Sequence, residues 1–309
     1  MVCRCCGKEF KPVKPRHAII CGDSRDPGVL ASLLGDIRVN VAITSPPYAA
    51  QREYDKSSGF SPILPAHYGE WFRPVAASIA AALAPDGSFF LNIKPHAEDG
   101  ERSLYVMDLV IAHKRQWGWR FVDELCWRNT RNGVPGGWPN RFKSAFKIVY
   151  HFSKSAAIKF NPESVSTPSD DVFEYSADNP KSESGSGLLG SGKRQNQHSG
   201  LARHSNVIEV PAESGQGEHS APFPRALVEF FIKAFSDVGD VVLDVFMGSG
   251  TTSAAAHVLG RNSYGCELSP AYCDVIIGRM EKLGCTSIRL AGDGRTFREI
   301  AAERKQVPA

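Results

Sequence analysis

The chain has 309 residues, 42% of them hydrophobic and 22% charged, with 36 Lys and Arg against 33 Asp and Glu for a formal net charge of +3. A chain of this length buries a sizeable core in one large or two small domains, which excludes disulfide-stapled miniature folds, and its composition excludes a disordered or fibrous chain. So small a net charge does not mark a nucleic-acid binder, and a polyanion site has to be sought in where the basic residues sit.

In chain order, residues 1–16 form a cysteine-bearing extension. Residues 17–162 then alternate short apolar runs with amphipathic stretches: AII (18–20), VNVAI (39–43), SFFLNI (88–93), FVDELCW (121–127) and FKIVYHF (146–152) predict strands. Glu70 to Leu83, with Phe72, Val75, Ile79 and Leu83 on one face, predicts a helix, and Leu104 to Trp117 a second. Residues 163–218 are rich in Ser, Gly, Asn and Gln and carry no sustained period; they are expected to form a mobile insertion beside a site, with a passive linker as the open alternative. The alternation returns in 219–290: helix Pro224 to Ala234, strand VVLDVF (241–246), helix Thr251 to Leu259, strand SYGCEL (263–268) and helix Pro270 to Leu283, before a tail at 291–309. Strands and helices alternating in this way predict an α/β sheet with crossovers.

Two turns carry chemistry. Thr44-Ser45-Pro46-Pro47-Tyr48 follows the run VNVAI. In a parallel sheet, ligands bind beyond the carboxyl ends of the strands. Consecutive prolines stiffen the loop and remove two backbone donors, leaving carbonyls and a serine hydroxyl as acceptors for an external NH₂ group, and Tyr48 offers a flat face to a planar ring. A proline-stiffened turn packed over an aromatic is the plain alternative. The second turn, Asp244-Val245-Phe246-Met247-Gly248-Ser249-Gly250-Thr251-Thr252, follows a predicted strand and opens an Ala-rich helix. Its glycines admit close approach of a bulky ligand to the backbone, and the helix N-terminus offers unpaired N–H groups. Glu267, 17 residues past Gly250, stands near the spacing at which a carboxylate accepts from ribose hydroxyls. With no GxxxxGK[ST] and no basic residue in the loop, a nucleoside triphosphate is disfavoured.

TSPPY followed some two hundred residues later by DVFMGSGTT resembles the S-adenosylmethionine-dependent DNA amino-methyltransferases, in the permuted β group whose catalytic turn precedes the cofactor turn. Cys21-Gly22-Asp23-Ser24 matches the family's GD element, and His219 to Pro224 (HSAPFP) resembles the element ahead of the cofactor strand. The resemblance covers most of residues 17–285. It implies a Rossmann-like methyltransferase fold, a mostly parallel seven-stranded sheet with helices on both faces, and S-adenosyl-L-methionine as cofactor. By the same resemblance Ser45, Pro46, Pro47 and Tyr48 are the catalytic turn, while Asp23, Ser24, Pro222, Phe223, Asp244, Phe246, Gly248, Ser249, Gly250, Thr251 and Glu267 hold the cofactor.

The implied reaction moves a methyl group to an exocyclic amine whose lone pair is delocalised into its base. Acceptors at the Pro46 carbonyl and the Ser45 side chain would draw that nitrogen toward tetrahedral geometry, which is positioning with electrostatic preorganisation. A base inside a duplex cannot reach such a pocket, so the nucleotide must flip out. Serine as first letter of the turn is the form seen mostly with cytosine N4, and Asp or Asn with adenine N6. Cytosine N4 is therefore expected, adenine N6 being the alternative. A silent DNA-binding module on the same fold should have lost the catalytic turn or the glycines at 248 and 250, and an RNA or small-molecule methyltransferase would not need so long a polar insertion.

Leu125 to Pro162 contains no Asp or Glu but seven basic residues, Arg128, Arg131, Arg141, Lys143, Lys147, Lys154 and Lys159, interleaved with Trp127, Trp138 and Phe142. This suits phosphate tracking, a solvated strand face being the plain alternative. Double-stranded DNA is the expected partner, through Arg128, Arg131, Arg141 and Lys143 and, from the insertion, Arg194 and Arg203. A companion restriction endonuclease and a monomeric or homodimeric state accord with the resemblance.

The eight cysteines, at 3, 5, 6, 21, 126, 266, 273 and 285, are unlike a secreted disulfide framework and point to a reduced, cytoplasmic chain. The opening MVCRCCGKEF lacks an apolar signal stretch, and the longest low-polarity run, Val75 to Ala84, is far short of the roughly 20 residues a membrane helix needs. Cys3 and Cys6 form one CxxC knuckle that His17 and Cys21 could complete, but Cys21 would have to leave its strand, so no metal ligand set is assigned.

Overall fold

The computed structural model describes residues 16–49, 60–95, 97–98, 100–130, 140, 142, 144–168, 201–212, 224–285, 288–289 and 295–306. The chain runs β1 (His17–Cys21), α1 (Pro27–Leu34), β2 (Val39–Thr44), α2 (Tyr68–Ala82), β3 (Leu83–Ile93), β4 (Ala97–Glu98), β5 (Glu101–Arg102), α3 (Tyr105–Arg115), β6 (Arg120–Arg128) and β7 (Phe146–Ser153). It continues through β8 (Thr167–Pro168), β9 (Leu201–Ala202), β10 (Val207–Glu209), α4 (Arg225–Phe235), β11 (Val241–Asp244), α5 (Thr251–Val258), β12 (Asn262–Glu267), α6 (Pro270–Lys282) and α7 (Phe297–Gln306). Each strand and helix predicted from periodicity is present within a few residues.

One mostly parallel sheet has the order β1-β12-β11-β2-β3-β7-β6-β10. Five of its pairings are parallel, and β7 alone runs against its neighbours β3 and β6. The sheet has one strand more than expected, because β10, drawn from the stretch read as an insertion, adds a short parallel edge to β6. No helix of the described residues is long and apolar enough to cross a membrane.

Strand alternation divides the core between two faces. Phe89, Leu91 and Ile93 of β3 meet Leu30 and Leu34 of α1, Phe72, Val75 and Ile79 of α2, and Leu109 of α3. Phe90 between them points the other way, with Val41 and Ile43 of β2, onto Leu227, Phe231 and Phe235 of α4 and Ala255 and Ala256 of α5. The Phe90 and Phe231 rings stack with centroids 4.4 Å apart. Burial of each such side chain stabilises the fold by about 1.5–3 kcal/mol.

Local caps fix where helices start. Asp26 accepts from Gly28 N ahead of α1, with Pro27 at the first position, and Ser269 accepts from Tyr272 N ahead of α6, with Pro270 likewise. β11 stops at Asp244, two residues short of expectation, because the Asp244 carboxylate accepts from Phe246 N at 3.0 Å and turns the chain out of the ladder.

Candidate active site

β2 and β11 are parallel neighbours, so the turns that follow them leave the sheet at the same edge. They are joined directly. Thr44 Oγ1 donates to Asp244 Oδ1 at 2.7 Å, and Thr252 Oγ1, one residue into α5, donates to Asp244 Oδ2 at 2.6 Å. With Phe246 N as a third donor, both oxygens of this buried carboxylate are engaged. Burial raises the Asp244 pKa, against the pull of those three hydrogen bonds. Asp244, an expected cofactor residue, ties the two turns together.

In the first turn Ser45 Oγ lies 3.3 Å from the Tyr48 hydroxyl and accepts from Asn92 Nδ2 at 3.2 Å. Tyr68 of α2 donates its hydroxyl to Pro47 O at 2.6 Å, which fixes the second proline, whereas Pro46 O accepts no hydrogen bond among the described residues. Tyr48 is only 7% exposed, so the face expected to receive a planar ring is covered in this arrangement. Asn92 was missed by sequence reasoning. It lies on β3 at the same edge, is 1% exposed, and its Oδ1 has no hydrogen-bond partner among the described residues. Its only sequence signal is a polar letter inside the run SFFLNI.

The second turn needs glycine for its own backbone and packing. Gly248 and Gly250 take φ of 51° and 76°, a region that disfavours side chains, and a Cβ at Gly250 would come 2.9 Å from Ile276 of α6. Gly265 of β12 makes room for Met247, since a Cβ there would fall 2.1 Å from the Met247 sulfur. Gly248 N donates to Glu267 Oε2 at 2.7 Å and Ser269 N to Oε1 at 2.9 Å, so the acid that ends β12 faces back onto the glycine turn. Burial raises the Glu267 pKa, opposed by these backbone donors. Asp23, just past β1, is paired through both oxygens with Arg25; burial works against its charge, but that pairing prevails and its pKa falls.

The remaining predicted residues distribute as follows. Ser24 is buried beside Asp23. Phe246 stacks on Trp71 at 5.7 Å and Phe72 at 6.4 Å, which fastens the turn to α2. Ser249 is partly buried in the turn, and Thr251 Oγ1 accepts from Arg279 Nη1 at 3.0 Å. The structure thus brings to the head of α5 a guanidinium that the loop sequence lacks. Pro222 and Phe223 lie outside the described residues, as do Arg131, Arg141, Lys143, Arg194 and the knuckle cysteines Cys3 and Cys6.

Among the expected DNA contacts, Arg128 ends β6 at the same edge as the two turns and pairs with Glu209 of β10 at 2.5 Å. Lys147 places its ammonium 4.7 Å from the Trp127 ring and 6.0 Å from the Tyr48 ring, beside the first turn. Two basic groups are elsewhere. Arg203 precedes β10, which runs parallel to β6, so it sits toward the opposite edge with its guanidinium 5.0 Å above the Phe160 ring. Lys159 is bound by Asp240 at 2.6 Å and Asp237 at 3.0 Å. The acid-free stretch of sequence therefore acquires acids in space.

A family model described as DNA methylase matches residues 39–278. The type II methyltransferase M1.MboII of Moraxella bovis is 30% identical over 246 residues, covering 76% of this chain and 86% of its own. M.PvuII of Proteus hauseri, also a type II methyltransferase, is 27% identical over 293 residues, covering 86% and 84%. A solved PvuII DNA methyltransferase, titled cytosine-N4-specific, shares the fold with a TM-score of 0.65 at 23% identity, covering 94% of this chain and 91% of that one. The DNA modification methylase TTHA0409 of Thermus thermophilus, solved in complex with S-adenosyl-L-methionine, has a TM-score of 0.56 at 22% identity, covering 86% and 93%.

Proposed function

From the premise that the chain belongs to this family of DNA methylases, we propose that it transfers a methyl group from S-adenosyl-L-methionine to N4 of a cytosine flipped out of double-stranded DNA. The cofactor supplies an electrophilic methyl group on a sulfonium. The residues fit it: Gly248 and Gly250 hold the left-handed turn that carries the chain from β11 into α5, and Glu267 offers a carboxylate at the neighbouring strand end for ribose hydroxyls.

The observation that carries the proposal is the single edge at which an acceptor turn and a glycine turn are tied through Thr44, Asp244 and Thr252. Ser45 Oγ and Pro46 O accept from the target NH₂ and turn its lone pair toward the donor. Asn92 positions Ser45: by donating to Oγ it occupies one lone pair, and with the Ser45 proton directed to the Tyr48 hydroxyl the other is left for the amine. The Tyr48 ring has to be uncovered as the base enters, and Lys147 beside it offers a cation to the flanking phosphate. The neutral hydroxyl at 45 and the cytosine-N4 title of the PvuII structure favour cytosine.

The test is to incubate duplex DNA with the protein and isotopically labelled cofactor, digest to nucleosides and identify the labelled product by mass spectrometry. N4-methylcytosine is expected. Labelled N6-methyladenine would overturn the base assignment but keep DNA methylation, and label absent from DNA would overturn both.

A further inference from the structure

At the opposite edge of the sheet, remote from both turns, three potential metal ligands converge. His17 opens β1, His257 lies in the last turn of α5, and Cys285 follows α6. One donor atom from each lies within 4.8 Å of the others. His17 Nε2 is 2.9 Å from His257 Nδ1, and Cys285 Sγ is 3.5 Å from His257 Nδ1. All three side chains are partly buried. Cys21 and Glu267 pair at the far end of the same strands, so β1 separates this cluster from the cofactor turn by roughly 13 Å at ~3.3 Å per residue.

The outer hydrogen bonds decide what the inner atoms can do. His257 Nε2 lies 3.2 Å from Leu283 O, a carbonyl that can only accept, so Nε2 carries the proton and Nδ1 is left with its lone pair. Ser263 Oγ donates to Ser253 Oγ at 3.0 Å, so at 2.7 Å it accepts from His17 Nδ1, and His17 Nε2 is likewise bare. Two bare nitrogens then face one another at 2.9 Å beside a thiol. A cation shared between the two nitrogens satisfies both lone pairs at once. Imidazoles whose remote N–H groups are anchored to a carbonyl or hydroxyl are the usual setting of metal-ligating histidines.

We propose that His17, His257 and Cys285, with a water in the fourth position, bind one Zn²⁺ that clamps the start of β1 to the ends of α5 and α6. Two imidazoles and a thiolate form a donor set suited to zinc. Zn–N of ~2.1 Å and Zn–S of ~2.3 Å at tetrahedral angles place the nitrogens about 3.4 Å apart and each about 3.6 Å from sulfur. The two nitrogens, now 2.9 Å apart, therefore part by about 0.5 Å. The thiol, now 3.5 and 4.0 Å from the two nitrogens of His257, keeps its distance from Nδ1, moves away from Nε2 and releases its proton to solvent as the Zn–S bond forms.

The test isolates this cluster from the other thiols nearest the N-terminus. The full chain carrying Cys3→Ser, Cys5→Ser and Cys6→Ser is stripped with chelator and titrated with Zn²⁺, and separately with Co²⁺ as a visible reporter. One equivalent is expected, with a thiolate-to-cobalt charge-transfer band. Adding Cys285→Ser should remove that band and weaken Zn²⁺ at least tenfold, and His257→Ala should weaken it similarly, with circular dichroism verifying that each variant is folded. Failure to bind one equivalent, or binding and a band unchanged by Cys285→Ser, overturns the proposal. Because the readout is metal binding, either result stands apart from the outcome of the methylation assay.

Discussion

The turns after β2 and β11 leave adjacent parallel strands at one edge, yet their backbones are opposites. Residues 45–48 carry two prolines, which subtract N–H donors and present oxygen; residues 245–250 carry two glycines at positive φ, which keep their N–H groups and take a turn that side chains disfavour. The difference matches two tasks. An amine to be gripped needs acceptors in a stiff frame, whereas a bulky cofactor needs donors and room. Neither turn serves alone, and Asp244 holds them in mutual register.

Breaking the acceptor side should have the largest effect. Ser45→Ala is expected to lower kcat by about 10²–10³-fold, the scale for loss of one preorganised polar group, while cofactor affinity by calorimetry stays within about twofold. Retained turnover would remove Ser45 from the reaction. Breaking the other side should reverse the pattern. Gly248→Val places a β-branched side chain at φ 51° and is expected to weaken cofactor binding by at least about tenfold, read in the same calorimeter, by closing the approach and straining the turn.

Cutting the knot should affect both turns moderately. Thr44→Val removes one of three donors from the buried Asp244 carboxylate and should cost about 1–3 kcal/mol, seen as a lower denaturant midpoint at unchanged slope. A midpoint equal to that of the parent chain would show that the tie is dispensable. The smallest effect sharpens the DNA side of the comparison. Lys147→Ala should reduce the salt dependence of DNA binding by about 0.9 in log–log slope, whereas Lys159→Ala, whose ammonium is already held by Asp237 and Asp240, should leave the slope unchanged. Equal slopes for both variants would take Lys147 out of the interface.

Much of the architecture was legible because periodicity reports burial directly: runs such as VNVAI and VVLDVF became β2 and β11. Strand direction was not legible. FKIVYHF reads like any other apolar run, and only its register with β3 and β6 shows that it is antiparallel. β10 escaped because three residues carry too little pattern. In the site, Pro and Gly announced the turns through their own backbone restrictions. Asn92 and Arg279 did not announce themselves, since a single polar residue in a strand or helix has no local signature of what it will meet.

The sequence by itself determined the α/β alternation and the two chemically opposed turns, with Glu267 at the next strand end, because those features depend on local backbone preference and short-range spacing. Only the tertiary structure decided that Thr44 and Asp244, 200 residues apart, share a hydrogen bond, that Lys159 is neutralised, and that His17, His257 and Cys285 converge at the far edge. Those facts depend on strand order and side-chain direction. Such long-range pairing is fixed by the packing of the two faces of one sheet, and no window of adjacent residues contains it.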